Sequence, residues 1–294
     1  MSHPLHIVDV FAEQRLAGNP LAVVLDADDL GADEMQRIAH EMNFSETTFV
    51  SSKAGADGSW PVRIFTPAEE LPFAGHPTLG TASVVRALAG GAAEHVDLAL
   101  AVGTVPVSFE PEPGGDVVAW LRAPAVTLGP RVDGETVAAA VGLAARDLDP
   151  ALPPQQLTAG PSFVFARVSG QEALCRARLD SDRLAALVPG APSVGVYLFC
   201  SETTGEDLDL AARLLFEAGG PREDPATGSA TAILGAYLRE YAYPPGEPIS
   251  LRIEQGVAMR RPSLLRLTVR DRGDAAPEIR VGGRVIPVVR GELL

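Results

Sequence analysis

The sequence predicts an α+β protein of two similar halves, each a curved sheet of short strands around one central helix. Three observations carry this. Short strand-like runs punctuated by proline and glycine fill most of the chain; a distinctive stretch occurs twice; and a small-residue helix follows each copy. The first copy reads Phe73-Ala-Gly-His-Pro-Thr-Leu-Gly-Thr-Ala82, the second Glu223-Asp-Pro-Ala-Thr-Gly-Ser-Ala-Thr231. Overlaid at an offset of 148 in a chain of 294 residues, Pro77 falls on Pro225, Gly80 on Gly228, Thr81 on Ser229 and His76 on Asp224. Each copy reads as a loop feeding a helix N-terminus, with an ionisable residue just ahead of a proline. Matching helix starts with different chemistry suggest one site served by both halves.

The elements follow in order. Leu5–Phe11 and Asn19–Leu25 read as strands joined through Gly18, and Ala32–Met42 carries Met35, Ile38, Ala39 and Met42 at helical spacing. Thr47–Val50 and Pro61–Phe65 are strands, and the first duplicated stretch opens a helix. Val96–Ala101, Thr104–Phe109 and Val117–Leu121 continue the sheet, and the domain boundary is expected near residue 120. Pro124–Pro130 reads as an extended crossing and Glu135–Ala145 as a short helix. The second half echoes the first: Ala159–Phe165 resembles Gly18–Val24, and Ser181–Val188 answers the helix at Ala32–Met42. Val194–Cys200, Asp209–Phe216, Ile249–Glu254 and Ser263–Val269 are strands, and Glu278–Gly291 is a hairpin-like pair. Glycine and alanine along Gly228–Ala236 would let a sheet close tightly on the second helix.

The length allows two full hydrophobic cores, and 46% hydrophobic against 21% charged residues gives no compositional case for disorder. A formal charge of -14 argues against nucleic acid and anionic membranes as partners. Cys175 and Cys200 stand in no metal or redox spacing, which fits a reducing, cytoplasmic setting. Neither a signal peptide nor a membrane-length apolar run is expected.

Helix N-termini offer unpaired N–H groups and partial positive charge, so two of them could hold a substrate carboxylate without lysine. Thr81 and Ser229 alone would read as caps; the duplication favours a ligand site. His76 and Asp224 occupy matched places in the repeat, although Asp224 could also cap the following helix. Glu46, in Ser45-Glu-Thr-Thr among Phe44, Phe49 and Val50, would become a usable proton shuttle if burial raised its pKa. Two carboxylates and a histidine around an anion-holding pocket suit proton abstraction beside a carbonyl or alkene. The second stretch lacks the Gly-Lys-Ser/Thr ending of a phosphate loop and the G-x-S-x-G elbow of a serine hydrolase. The five histidines have no ligand spacing, and no G-x-G-x-x-G follows a strand, so neither metal nor dinucleotide is expected.

Four stretches resemble the PhzF family of phenazine-biosynthesis isomerase-like proteins. They are Asp9-Val-Phe with Gly18–Val24; Phe44–Val50; Arg63-Ile-Phe-Thr-Pro through Leu71–Thr78; and Asp224–Ala230. Glu254-Gln-Gly with Arg261-Pro-Ser263 is similar too. The resemblance implies a diaminopimelate epimerase-like fold of two pseudo-symmetric domains, each a curved, mostly antiparallel sheet around a central helix. The domains would be 1–118, joined by C-terminal strands from 279–294, and 119–278. It further implies a cofactor-free proton shift with no metal, catalysed by Glu46 with His76 and Asp224 as partners. Asn19, Ser45, Gly75, Gly228 and Ser229 would contact substrate, and the protein would be a homodimer.

Relatives of this fold that racemise amino acids use one thiol per half; here His76 and Asp224 are taken as the corresponding positions. The reading is therefore a cytoplasmic isomerase moving a double bond within a small unsaturated carboxylic or amino acid. A carboxylate-based epimerase or racemase, and a silent small-acid-binding protein of the same fold, are the alternatives.

Overall fold

The computed structural model describes residues 2–188, 194–218, 220–245, 248–273 and 275–294. In the first half, β1 (His3–Val10) pairs antiparallel with β2 (Asn19–Val24). The helix α1 (Ala32–Met42) starts where Asp33 and Glu34 complement its N-terminal charge. It stops at Asn43, which takes the left-handed conformation at φ 52° and returns its N–H to the Ala39 carbonyl. β3 (Thr47–Val50) runs parallel to β2 and antiparallel to β4 (Trp60–Phe65). β4 pairs antiparallel with the short β5 (Glu70–Leu71) and parallel with β6 (His95–Leu100), on either side of α2 (Gly75–Leu88) in the chain. β7 (Gly103–Pro111) and β8 (Val117–Arg122) extend the sheet antiparallel.

The second half repeats this order of pairings. β9 (Thr127–Arg131), α3 (Gly134–Ala140) and β10 (Gln155–Thr158) come first; α3 is capped by Asp133, whose carboxylate accepts from Thr136 N. β10 pairs antiparallel with β11 (Ser162–Arg167), which runs parallel to β12 (Gly195–Cys200) beyond α4 (Gln171–Arg176) and α5 (Ser181–Leu184). β13 (Leu210–Glu217) is antiparallel to β12 and to β14 (Pro221–Asp224). After α6 (Gly228–Glu240), β15 (Ile249–Gln255) lies parallel to β13 and antiparallel to β16 (Ser263–Arg272). β17 (Ala275–Gly283) and β18 (Val285–Leu293) end the chain. Strand by strand, β1 to β7 and β10 to β16 follow one pairing plan. One further strand completes each unit: β9 pairs with β10, and β18 with β1.

Two units result, Met1–Arg122 with Gly282–Leu294, and Ala123–Val281. These divisions lie a few residues beyond the expected 118/119 and 278/279, because β8 stays paired with β7 and runs on to Arg122.

Within each unit the middle strands are covered on both faces, which explains runs such as Gly195–Cys200 buried at every position. In the first unit α1 packs Met35 and Ala39 against Val24, Phe49 and Phe65. In the second, α3, α4 and α5 pack Val137, Leu174 and Leu184 against Val164, Val196 and Leu198. The central helices take the other face, and their glycines set the approach. A Cβ on Gly80 of α2 would sit 2.5 Å from Leu21 Cδ2 and 2.8 Å from Val10 Cγ2. On Gly235 of α6 it would meet Val269, Ile279 and Leu267 at 2.9–3.1 Å, so the small-residue stripe does seat that helix tightly. Tyr237 of α6 stacks on Phe165 at 5.7 Å between ring centroids and donates its hydroxyl to the Pro153 carbonyl.

The strand–turn–helix connections correct the expected register of the duplication. β5 ends at Leu71 and α2 starts at Gly75; β14 ends at Asp224 and α6 starts at Gly228. The offset is thus 153 residues (Gly75 to Gly228) in place of 148. Pro72 answers Pro225, Gly75 answers Gly228, Thr78 answers Thr231, and His76 answers Ser229, while Asp224 answers Leu71. Helix geometry, which fixes where the first turn begins, overrides the chance likeness of Gly-Thr-Ala to Gly-Ser-Ala. His76 and Asp224 are therefore not counterparts: one sits in the first turn of a helix, the other at the end of a strand.

Candidate active site

In the first unit three predicted residues come together. Asn43 ends α1 with a sharp turn, so Phe44-Ser45-Glu46 leads straight into β3. Two residues beyond Glu46, on the same face of the extended chain, the Thr48 hydroxyl meets the Thr81 hydroxyl of α2 at 2.8 Å in a fully buried contact. This contact pins β3 to α2 and brings Glu46 to the end of the helix where His76 lies. Glu46 Oε2 is 3.2 Å from His76 Nδ1, with side chains 15% and 5% exposed respectively. Asn19, fully buried at the start of β2, places its Nδ2 3.5 Å from the same ring nitrogen. Burial lowers the His76 pKa to about 3, the nearby Pro20 carbonyl opposing it only in part, so the ring is neutral at working pH. Gly75 is the buried first residue of α2; Ser45 is exposed, beside Glu46 in the chain. No side chain caps α2: Ala74 stands at the N-cap, which leaves first-turn N–H groups available as a partial positive charge.

In the second unit Asp224 is not the cap of α6, since Thr227 occupies that place. Thr227 Oγ1 instead donates to Asp224 Oδ2 at 2.5 Å. Gln255, fully buried on β15, donates from Nε2 to the Asp224 carbonyl at 2.9 Å and to Thr227 Oγ1 at 3.1 Å. Its Oε1 accepts from Thr227 N at 3.3 Å. Gly256 follows at φ 74°, where any side chain would collide with the Arg261 and Pro225 carbonyls. Burial raises the pKa of Tyr197 on β12 far above the usual phenol value, with the Asp224 charge adding to it; its hydroxyl meets Thr231 Oγ1 at 3.1 Å. Gly228 and Ser229 form the first turn of α6, the one buried and the other half-buried. Next to Asp224, Glu223 is engaged by both arms of the buried Arg213.

Thr227 and Gln255 carry no role in the sequence reading. The only hint was their place inside Asp224–Ala230 and Glu254-Gln-Gly, since a buried glutamine has no local signature. A cavity of about 370 Å³ in the first unit is bordered by Met35, Phe49, Val62, Arg63, Glu70 and Leu100 and touches neither Glu46 nor His76. Among the described residues no cluster of three or more His, Cys, Asp or Glu side chains is placed to hold a metal ion, and no helix is long and apolar enough to cross a membrane.

Against known proteins, residues 8–291 match the family model of phenazine biosynthesis-like proteins, PhzC-PhzF. The chain belongs to the PhzF family. A trans-2,3-dihydro-3-hydroxyanthranilate isomerase of Pseudomonas aeruginosa is 36% identical over 285 residues, covering 96% of this chain and 95% of that one. An uncharacterized isomerase of Mesorhizobium japonicum is 36% identical over 296 residues, covering 98% and 97%. The crystal structure of a PhzF-family phenazine biosynthesis protein from Bacillus anthracis matches with a TM-score of 0.90 at 27% identity, covering 100% of this chain and 99% of that one. The fold is the diaminopimelate epimerase-like one, and the protein is an isomerase of the PhzF type.

Proposed function

We propose that this PhzF-type isomerase moves a proton, and with it a double bond, within a small unsaturated carboxylic or amino acid, using Glu46 as the base that takes the proton and the acid that returns it. The observation that carries the reading is Glu46 Oε2 lying 3.2 Å from a histidine that burial keeps neutral. A neutral imidazole can donate to a carboxylate or accept from a carboxylic acid, so it serves both protonation states of Glu46 without a change of charge. An imidazolium would instead hold Glu46 as an ion pair and blunt it as a base.

The substrate C–H bond breaks to Glu46, the electron pair spreads into the conjugated acid, and Glu46 returns the proton at another carbon. Atoms and charge balance without redox change, which is why the reading needs neither metal nor organic cofactor. The uncapped first turn of α2, beginning at Gly75, would attract the substrate carboxylate, with Asn19, which contacts His76, and Ser45, which precedes Glu46, as further substrate contacts. Asp224 is assigned a second acid/base or anchoring role, with Gly228 and Ser229 contributing the corresponding helix start. The free thiols Cys175 and Cys200 support a reducing, cytoplasmic setting, and the family resemblance supports a homodimer.

The first probe is trans-2,3-dihydro-3-hydroxyanthranilate, the compound named for the Pseudomonas relative. In deuterated water, proton NMR should show deuterium arriving at a ring carbon as the double bonds shift. Glu46→Gln should slow this by a factor of about 10² to 10⁴. Full turnover by Glu46→Gln would sink the reading.

A further inference from the structure

The hydrogen bonds around Asp224 have a fixed direction. Gln255 Oε1 takes its hydrogen bond from a backbone N–H, that of Thr227, and Gln255 Nε2 gives one to a backbone carbonyl, that of Asp224. A backbone N–H can only donate and a carbonyl can only accept, so both ends of the amide are assigned without ambiguity. The same Nε2 then reaches Thr227 Oγ1 at 3.1 Å, and the hydroxyl must be the acceptor there. A threonine hydroxyl has one proton. That proton goes to Asp224 Oδ2 at 2.5 Å, while the bond from Gln255 holds the hydroxyl oxygen in place.

We infer that Gln255 and Thr227 are positioning residues for Asp224: the Thr227 hydroxyl donates to Oδ2, and Gln255 holds that hydroxyl and the Asp224 carbonyl in place. The inference rests on the proton-handling role proposed for Asp224. Gln255 fixes the hydroxyl, the hydroxyl fixes the carboxylate plane, and the bond to the Asp224 carbonyl ties the end of β14 to β15. A donated hydrogen bond favours the ionised carboxylate, so the relay also holds Asp224 ready as a base. Tyr197 faces Asp224 from β12 but stays neutral because burial raises its pKa; Glu223, on the neighbouring position of β14, is engaged by Arg213 on β13; Thr227 and Gln255 carry no charge.

The test reads Asp224 directly. Carbon-13 NMR of the aspartate side-chain carboxyls is followed against pH in the full chain, the Asp224 signal being assigned by its loss in Asp224→Asn. Thr227→Val keeps the shape and removes the hydroxyl, and should raise the Asp224 midpoint by about one pH unit. Thr227→Ser keeps the hydroxyl and should titrate with the wild type. Gln255→Leu frees the hydroxyl to turn away and should give a rise smaller than that of Thr227→Val. A Thr227→Val midpoint equal to the wild type would overturn the relay, as would a Thr227→Ser midpoint that moved with the valine variant. Because these titrations need no turnover, they separate from the functional reading. Asp224→Asn with unimpaired deuterium exchange would remove the proposed role of Asp224 and leave the relay standing.

Discussion

Glu46 and His76 share one short contact, and their environment makes the histidine's titration a matter of stability more than of rate. The unfolded chain takes up a proton on His76 below about 6.5, the folded protein only below about 3. Between those values the unfolded state holds the extra proton, so stability falls as pH drops through that window, by about 1.4 kcal/mol per pH unit. Urea unfolding from pH 7 to pH 4 should therefore show a slope that His76→Asn reduces by about that amount. An unchanged slope would mean that the ring is protonated in the folded protein. For the same reason no limb between pH 6 and 7 in kcat/KM should belong to His76. The three ionisable residues were legible in the sequence because each stands beside glycine, proline or a strand start in an unusual combination. Their surroundings were not. Asn19 beside the His76 ring, and Gln255 behind Asp224, depend on strands 57 and 31 residues away in the chain coming alongside, which no local pattern encodes.

Among the elements, α1 matches its expected bounds because its first-turn acids, apolar spacing and asparagine stop all agree. The misses have a common cause. β14 reads Pro-Arg-Glu-Asp and β10 Gln-Gln-Leu-Thr, sequences with little intrinsic strand preference that are strands because β13, β11 and β9 pair with them. The helix expected at Ser181–Val188 is limited to Ser181–Leu184, and α4 at Gln171–Arg176 shares its role of covering the sheet. Glycine contacts give two graded predictions. Gly80→Ala pushes only on the side-chain tips of Leu21 and Val10 and should cost about 1–3 kcal/mol in urea unfolding. Gly256→Ala meets backbone carbonyls at a left-handed φ and should cost about 3 kcal/mol or more. It should also slow turnover, because the carbonyl it presses belongs to Pro225, next to Asp224; Gly80→Ala at the same denaturant-corrected stability should not. Equal effects of the two on turnover would break the link from Gly256 to Asp224.

Across the whole molecule, the repeat of pairings was foreseeable and its register was not, since seven strands in one order are a stronger signal than any overlay of two short motifs. β9 completes the sheet of the second unit, and β18 completes that of the first, pairing with β1 from His3–Leu293 to Val10–Val285. The second unit is one continuous segment, whereas in the first β1 has only β2 beside it until β18 arrives. Truncation after Gly283 should therefore abolish slow amide exchange throughout β1 and β2 while leaving β11, β12 and β13 protected. Protected β1 amides in the truncated chain would show that β18 is dispensable.

The late arrival of β18 sets a timetable on the ribosome. At roughly 5–20 residues per second, His3 waits about 15–60 s for Leu293 to be synthesised. The segment bearing Glu46 and His76 cannot finish folding in that interval. For that time β1 presents an unpaired edge with Ile7 and Val8 along it, open to any other nascent strand in reach.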